Sequence, residues 1–147
     1  VEIPSSVTEI QEQAFFGCIG LNSIKVDEKN EVYDSRENCN AIIETKSNTL
    51  IAGCNNLKIP KGVTSIYEAA FYGCSGLTDI EIPDSVTDIG RTAFLGCTGL
   101  LNLKIPNSVT TIGYMAFDNC DNLNNISWNG TTYSSVDEFL TAFNAAH

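Results

Sequence analysis

Residues 82–104 read IPDSVTDIGRTAFLGCTGLLNLK, and residues 105–127 continue with IPNSVTTIGYMAFDNCDNLNNIS. The same pattern, IPxxVTxIxxxAFxxCxxLxxIx, occurs in residues 59–81 (IPKGVTSIYEAAFYGCSGLTDIE) and 3–25 (IPSSVTEIQEQAFFGCIGLNSIK). A fixed period of 23 residues indicates a chain built from successive turns of one structural unit. Because one such turn cannot bury its own apolar side, the repetition predicts a solenoid in which neighbouring turns cover one another.

Each repeat contains the signature of one half-buried strand. Ile80 and Ile82 alternate with Asp79 and Glu81, and a strand places alternate side chains on opposite faces. The Val-Thr-x-Ile segment predicts a second short extended stretch in each turn. Leu-x-x-Ile-x-Ile spacing within a period of roughly 20–29 residues is typical of leucine-rich repeats. We therefore predict an α/β-type leucine-rich-repeat solenoid, mostly β with short turns, with a parallel sheet of about six strands.

The length of 147 residues suits a single domain covering the whole chain. We predict four regular repeats in this domain, at residues 3–25, 59–81, 82–104 and 105–127. The irregular repeat spans residues 26–58, and the C-terminal cap spans residues 128–147.

Two residue types recur at fixed positions in the four regular repeats. Stacking predicts a buried aromatic column and a buried column of free thiols beside it. The columns comprise Phe15, Phe71, Phe94 and Phe117, and Cys18, Cys74, Cys97 and Cys120. A disulfide between adjacent turns is a geometrically feasible alternative, because neighbouring copies lie about 5 Å apart. A metal site is disfavoured, because the six cysteines include no CxxC pair.

The irregular repeat is ten residues longer than the period and contains a hairpin signal. Residues 41–45 and 49–52 are apolar and β-branched, and they flank Lys46-Ser47-Asn48. We expect this hairpin to project from, or thicken, one edge of the solenoid. Cys39 and Cys54 lie within this repeat, either as separate thiols or as a bridge.

Both ends of the chain depart from the pattern. Ser135 begins a capping box, and the residues at i, i+3, i+4 and i+7 after it are apolar. We predict that residues 135–145 form a helix that covers the last turn, the alternative being an amphipathic helix that binds a partner. No such cover precedes Val1, so we expect the natural chain to continue before it.

Composition bears on several classes of function. A net charge of −10 disfavours binding to nucleic acid and to anionic lipid, and no apolar run has the length of a membrane span. One histidine, at the terminus, and the absence of P-loop, GxGxxG and HExxH motifs disfavour an enzyme or a cofactor site. Asp118 and Asp121 do not have the spacing of a calcium loop.

The consensus IPxxVTxIxxxAFxxCxxL resembles the BspA-like leucine-rich repeat family of bacterial surface proteins. The irregular segment VYDSRENCNAIIETKSNTLIAGC resembles a variant turn common in gut and oral Bacteroidetes members. The resemblance implies a secreted or surface-anchored protein whose anchor lies outside these residues. It also implies adhesion to host proteins, including fibronectin and fibrinogen, or contact between bacteria. It supplies no catalytic residues.

The outward positions of the strands are the candidate surface for a ligand. They form two polar rows without an aromatic residue, which disfavours sugar binding. The candidate contact residues are Lys25, Lys58, Asp79, Glu81, Asn102 and Lys104. The alternative interpretation is a solvated sheet whose charges only avoid repulsion. The hypotheses for function are a monomeric, non-enzymatic adhesion module that binds a host or bacterial surface protein, a structural spacer, and glycan capture.

Overall fold

The computed structural model describes residues 1–147 as a β-solenoid ending in one helix, which confirms the predicted fold class. The strands are β1 (Glu2–Ile3), β2 (Lys25–Val26), β3 (Tyr33–Asp34), β4 (Ala41–Glu44), β5 (Thr49–Gly53), β6 (Ser65–Ile66), β7 (Asp79–Glu81), β8 (Asp88–Ile89), β9 (Asn102–Lys104), β10 (Thr111–Ile112), β11 (Asn125–Trp128) and β12 (Thr131–Tyr133). The helix is α1 (Val136–Ala146), and a 3-10 turn spans Arg36–Asn38. No helix combines the length and the apolar character of a membrane span.

Two rows of parallel strands run along the solenoid, one for each extended stretch of the repeat. The first row contains β7, β9 and β11, and the second contains β6, β8 and β10. The strand of the first row stops at the Ile-Pro pair. Ile82 still donates its N–H to Lys104 O at 3.0 Å, but Pro83 has no N–H to continue the ladder.

The turn that joins the two rows has its own hydrogen-bonded ladder. Phe71 N donates to Ala93 O and Phe94 N donates to Ala116 O, both at 2.8 Å, so earlier turns donate to later ones. The second strand row also contains bonds of the opposite direction, such as that from Gly90 N to Ile66 O at 2.8 Å. Both ladders repeat at the period of the sequence, because equivalent residues stack.

Stacked phenylalanines fill the core of the regular repeats. Phe94 lies 4.8 Å from Phe71 and 5.4 Å from Phe117 between ring centroids, and all three side chains are buried. The predicted aromatic and thiol columns are confirmed for these three turns. They are wrong for the first repeat, where Phe15 is only half-buried and Cys18 is exposed. The hairpin takes the place of a regular turn beside the first repeat, and Phe15 packs against an apolar cluster that includes Ala52 and Cys54 in place of a stacked phenylalanine.

The hairpin β4–β5 lies inside the molecule. It forms the predicted antiparallel pair and extends the second strand row, in the order β10-β8-β6-β5-β4-β3. Successive residues face opposite sides: Ile43 lies in a core of 30 residues, whereas Ile42 lies in a separate core of seven. The expectation that it projects from or thickens an edge is therefore wrong. Both faces are apolar, so both are covered.

The first strand row is interrupted where the irregular repeat crosses it. β1 and β2 form a separate parallel pair, and residues 57–59 form no strand. Ser35 and Cys39 occupy the gap: Ser35 Oγ accepts from Val26 N at 3.1 Å, and Cys39 O accepts from Lys58 N at 3.4 Å. The single parallel sheet expected from the rows is thus divided in two.

The C-terminal cap is confirmed. β11 turns at Asn129 and Gly130, which both have positive φ, and returns as β12. Ser135 accepts from Glu138 N at 3.2 Å and so caps α1. The helix places Phe139 edge-on to Phe117, at 6.4 Å between ring centroids. This contact covers the end of the aromatic stack.

Candidate ligand-contact face

The outward face of β7, β9 and β11 carries the polar rows expected from the sequence. Asp79 pairs with Asn102 in the parallel register, and Glu81 pairs with Lys104. The strand residues between them are buried on the opposite side of the sheet. The face is therefore held by the strands and the core beneath them.

Amide and carboxylate groups form a ladder across this face. Asn102 Nδ2 donates to Asp79 Oδ1, and Asn125 Nδ2 donates to Asn102 Oδ1 at 2.7 Å. Thr78 Oγ1 donates to the other oxygen of Asp79 at 2.7 Å. The hydrogen bonds from Thr78 and then Asn102 hold the pKa of Asp79 below its ordinary value. The ladder fixes side chains that would otherwise be free in solvent.

Glu81 and Lys104 form an exposed ion pair. The carboxylate and ammonium groups lie 2.6 Å apart, and both side chains are about two-thirds exposed. Hydrogen bonding and charge attraction lower the pKa of Glu81 and raise that of Lys104. The pair therefore stays ionised at neutral pH, although an exposed pair contributes little to stability.

Lys58 lies beside this pair without belonging to a strand. It contributes to the lowering of the Glu81 pKa, after the larger effects of Lys104. Lys58 also lines a concavity of about 590 Å³ with Asp79, Glu81 and Lys104. The structure thus brings four of the six predicted contact residues to one concave surface, and places Asn102 next to them.

Lys25 lies apart from this surface, which corrects its predicted place in a continuous row. It pairs with Glu2 in the separate β1–β2 sheet and lines a different concavity of about 470 Å³. Residues 35–40 lie between the two parts, and Asn40 Nδ2 donates to Asn56 O at 3.0 Å on the far side. The interruption follows from the ten extra residues of the irregular repeat, which separate Lys25 from the later strands.

Two further charged residues line the 590 Å³ concavity but were missed in the sequence. Lys61 and Asp84 follow the Ile-Pro pairs of adjacent repeats, so they occupy the same position one turn apart. The repeat alignment contained this signal. The predicted contact residues were taken only from strand positions, whereas the face continues past the proline.

A second groove, of about 770 Å³, lies between the first repeat and strands β5 and β6. Its lining includes the carboxylates of Glu9, Glu12 and Glu44 and the rings of Tyr33 and Tyr67. Tyr67 donates its hydroxyl to Glu12 Oε1 at 3.3 Å. This groove could not be predicted from the sequence, because it depends on where the hairpin lies.

Buried thiols run beside the aromatic stack. Cys97 Sγ donates to Phe71 O and Cys120 Sγ donates to Phe94 O, each at 3.1 Å. Burial raises the pKa of Cys74 to about 12. Cys74 is therefore protonated at neutral pH, and a buried thiol of this kind acts as a small apolar group with one weak donor.

All six cysteines are unbridged. Cys39 lies in the larger core and Cys54 in the smaller one, where its thiol donates to Asn40 O at 3.3 Å. The alternative Cys39–Cys54 bridge is therefore not formed. No three His, Cys, Asp or Glu side chains are grouped in a way that would hold a metal ion.

The stacked turns and their polar strand face define a leucine-rich-repeat solenoid. The chain belongs to the BspA-type leucine-rich repeat family. The family profile, described as "BspA type Leucine rich repeat region (6 copies)", matches residues 1–47 and 42–144. No curated protein sequence matches the chain.

Solved structures of bacterial proteins share the fold. A leucine-rich repeat protein from Eubacterium ventriosum is 24% identical, with a TM-score of 0.59 over 85% of this chain and 41% of its own. A leucine rich cell surface protein from Faecalibacterium prausnitzii is 28% identical, with a TM-score of 0.54 over 89% and 48%. A T. pallidum leucine rich repeat protein is 26% identical, with a TM-score of 0.52 over 86% and 51%. The chain spans about half the length of these proteins or less.

Proposed function

We propose that this chain is a non-enzymatic protein-interaction module of a bacterial cell-surface protein, displayed outside the cell as a monomer. Its partner is a host or bacterial surface protein. The family and the description of the Faecalibacterium protein as a cell surface protein support the location. Stacked repeats that present a rigid face commonly serve to bind proteins, which supports the role.

The observation that carries the proposal is the charge distribution in the 590 Å³ concavity. Lys58, Lys61 and Lys104 line it, in a chain with 8 basic residues and a net charge of −10. Asp79 and Glu81 lie among them, so the surface presents both signs within a short distance. A surface of alternating charge complements a protein better than it complements a polyanion.

Charge reversal in the concavity tests this function. The double variant Lys58→Glu and Lys104→Glu is expected to weaken binding to immobilised fibronectin or fibrinogen at least tenfold, because two attractive contacts become repulsive. The matched control reverses Lys29 and Lys46, which lie outside the concavity. Binding by the concavity variant that equals binding by the control would show that this face is not the contact surface.

A structural spacer is the second candidate, favoured by the ladder on the face. Asn102, Asn125 and Asp79 satisfy one another, and Lys104 is paired with Glu81, so few groups are left for a partner. If the chain is a spacer, replacing it in its parent protein with an unrelated rigid domain of equal length leaves binding unchanged. Loss of binding after that exchange would contradict the spacer function.

A further inference from the structure

The hairpin separates the first repeat from the rest of the molecule. Ala41, Ile43 and Leu50 face the core of 30 residues, whereas Ile42 and Ala52 face the core of seven. The register shift between Ile42 and Ile43 lets the hairpin maintain this division along its length. The first repeat therefore packs on a different core from the other turns.

Residues 8–22 of the first repeat, which we term the flap, contain no buried side chain. Ile10, Phe15 and Leu21 are half-buried, and they pack against the smaller core. The flap is anchored at its base by the β1–β2 pair. Asn30 Nδ2 secures its entry, donating to Pro4 O and Val7 O at 2.9 Å.

Few hydrogen bonds hold the flap to the body beyond that base. Ile10 N donates to Tyr33 Oη at 2.9 Å, and Tyr67 Oη donates to Glu12 at 3.3 Å. At the C-terminal end of the flap, Asn55 N donates to Leu21 O at 3.5 Å and Asn55 Nδ2 donates to Asn22 Oδ1 at 3.1 Å. No bond of the turn ladder is present here, since the N–H groups of residues 13, 15 and 17 have no partner.

A regular turn is held much more firmly. Residues 91–96 alone make six backbone hydrogen bonds to the turns on either side. Three N–H groups donate to the following turn, as Thr92 N does to Tyr114 O at 3.0 Å. Three carbonyls accept from the preceding turn. Opening such a turn breaks both sets. Opening the flap breaks four scattered hydrogen bonds, separates Ile10, Phe15 and Leu21 from the smaller core, and breaks the stacking of Phe16 on Tyr72.

The groove beside the flap shows that its contact with the body is incomplete. It has a volume of about 770 Å³ and runs between the flap and strands β5 and β6. Glu9 and Glu12 line it from the flap, and Glu44 lines it from the hairpin. Like charges on both sides oppose closer packing, so this side of the flap stays solvated.

We propose that the flap opens as a unit on the β1–β2 base and controls access to the outer face of the hairpin. Opening uncovers an apolar strip formed by Ile42, Ala52 and Cys54, which are at most 2% exposed when the flap is closed. Segments with few buried contacts open at lower free energy than the global unfolding of the domain. The flap is such a segment, and the strip is hidden or presented according to its position.

Native-state thiol labelling tests this proposal. The intact chain is treated with iodoacetamide at pH 8, and each cysteine is followed by peptide mass spectrometry. Exposed Cys18 is expected to react first. Cys54 should react at least tenfold faster than Cys97 and Cys120, although all three are buried. Equal rates for Cys54 and Cys97 would mean that Cys54 is reached only by global unfolding, and would overturn the proposal.

Two variants separate flap opening from global destabilisation. Tyr33→Phe removes the hydroxyl that accepts from Ile10 N, and Phe16→Ser removes the ring that stacks on Tyr72 at 3.7 Å. Each is expected to speed the labelling of Cys54 several-fold and to leave that of Cys97 unchanged. Tyr114→Phe, at a side chain 73% exposed, is the matched control and should change neither rate. A parallel rise of Cys54 and Cys97 labelling in both variants would contradict a local flap.

Discussion

At the residue scale, the cysteine of the repeat occupies a position that suits no larger or more polar side chain. Cys97 is fully buried, and its thiol donates to Phe71 O in the preceding turn. A thiol is small enough for the stack and supplies a donor without the desolvation cost of an amide or a carboxylate. In the first repeat, where the hairpin replaces the neighbouring turn, Cys18 is exposed. Burial therefore depends on the neighbour as well as on the residue type.

Phe94 is the central ring of the aromatic stack and should be the most costly to truncate. Phe94→Ala is expected to lower the free energy of unfolding by about 3–5 kcal/mol, because the cavity lies between two fixed rings. Phe16→Ala, at a ring 48% exposed, is the control and should cost less than about 1 kcal/mol. Urea unfolding followed by circular dichroism measures both. A Phe94→Ala loss no larger than the control would show that the stack is not a tightly packed core.

Asp34 links the interrupting segment to the hairpin through charge. Burial acts to raise its pKa, but hydrogen bonds from Arg36 and Thr45 and the charge of Arg36 leave it lowered overall. Arg36 contacts Asp34 at 2.6 Å and also reaches Asn48 at 2.9 Å. Because the folded pKa is below the unfolded one, this contribution is present at neutral pH and lost as pH falls through the folded value.

Asp34→Asn is accordingly expected to lose about 1 kcal/mol of stability at pH 7. It should also flatten the fall in stability below about pH 4, since the unfolded carboxyl titrates near there. Urea midpoints measured between pH 3 and 7 check both points. Asp118→Asn, at an exposed carboxylate, is the control. An unchanged pH dependence in Asp34→Asn would contradict a native-state role for the pair.

At the element scale, the close approach of successive turns sets which residues a turn tolerates. A Cβ on Gly99 would lie 2.0 Å from Ser75 O, and one on Gly113 would lie 2.3 Å from Arg91 N. Backbone atoms of the adjacent turn cannot withdraw without breaking the ladder. Gly20, the equivalent of Gly99 in the first repeat, would meet nothing within 4 Å. The same repeat position is therefore demanding in one turn and permissive in another.

This contrast yields a matched pair of variants. Gly99→Ala is expected to destabilise the fold by about 1–3 kcal/mol or more, because the new methyl overlaps a carbonyl. Gly20→Ala should be neutral or slightly stabilising, by up to about 1 kcal/mol, because it only restricts the unfolded chain. Thermal unfolding of both variants gives the comparison. Equal losses would show that the first repeat stacks as closely as the third.

The elements themselves were largely predictable from the sequence, and their neighbours were not. The alternation around Ile80, the capping box at Ser135 and the turn at Asn129 are local signals, and the structure contains each of them. The place of the hairpin is a property of the tertiary arrangement. Ile42 and Ile43 look alike in a sequence, and only two cores on opposite sides distinguish them.

The residues of the candidate site were likewise predictable only where the repeats are regular. Asp79, Glu81, Asn102 and Lys104 were predictable, because consecutive regular repeats place them in register. Lys25 was misplaced, because the irregular repeat inserts backbone between it and the other residues. Outward side chains keep a continuous row only between adjacent regular turns.

At the scale of the whole molecule, the regular turns are interchangeable and the irregular one is not. Residues 59–81 donate to residues 82–104 through the same ladder that joins residues 82–104 to 105–127. Removing one regular turn therefore leaves two surfaces that match. The irregular repeat, residues 26–58, contributes to both cores and has no substitute.

Deletion of residues 82–104 is thus expected to give a folded, shorter monomer with a lower urea m-value, because less surface is exposed on unfolding. Deletion of residues 26–58 should give an unfolded or aggregated chain. Circular dichroism and size-exclusion chromatography distinguish these results. A shortened chain without cooperative unfolding would contradict the interchange of regular turns.

The presence of hydrogen bonds of both directions between turns has an electrostatic consequence. In the turn ladder the earlier residue donates, as Phe71 does to Ala93, whereas Gly90, beside the second strand row, donates back to Ile66. Aligned peptide dipoles add along an α-helix, but opposed sets offset each other. Each added turn therefore contributes less to an axial field than it would if all its bonds pointed the same way.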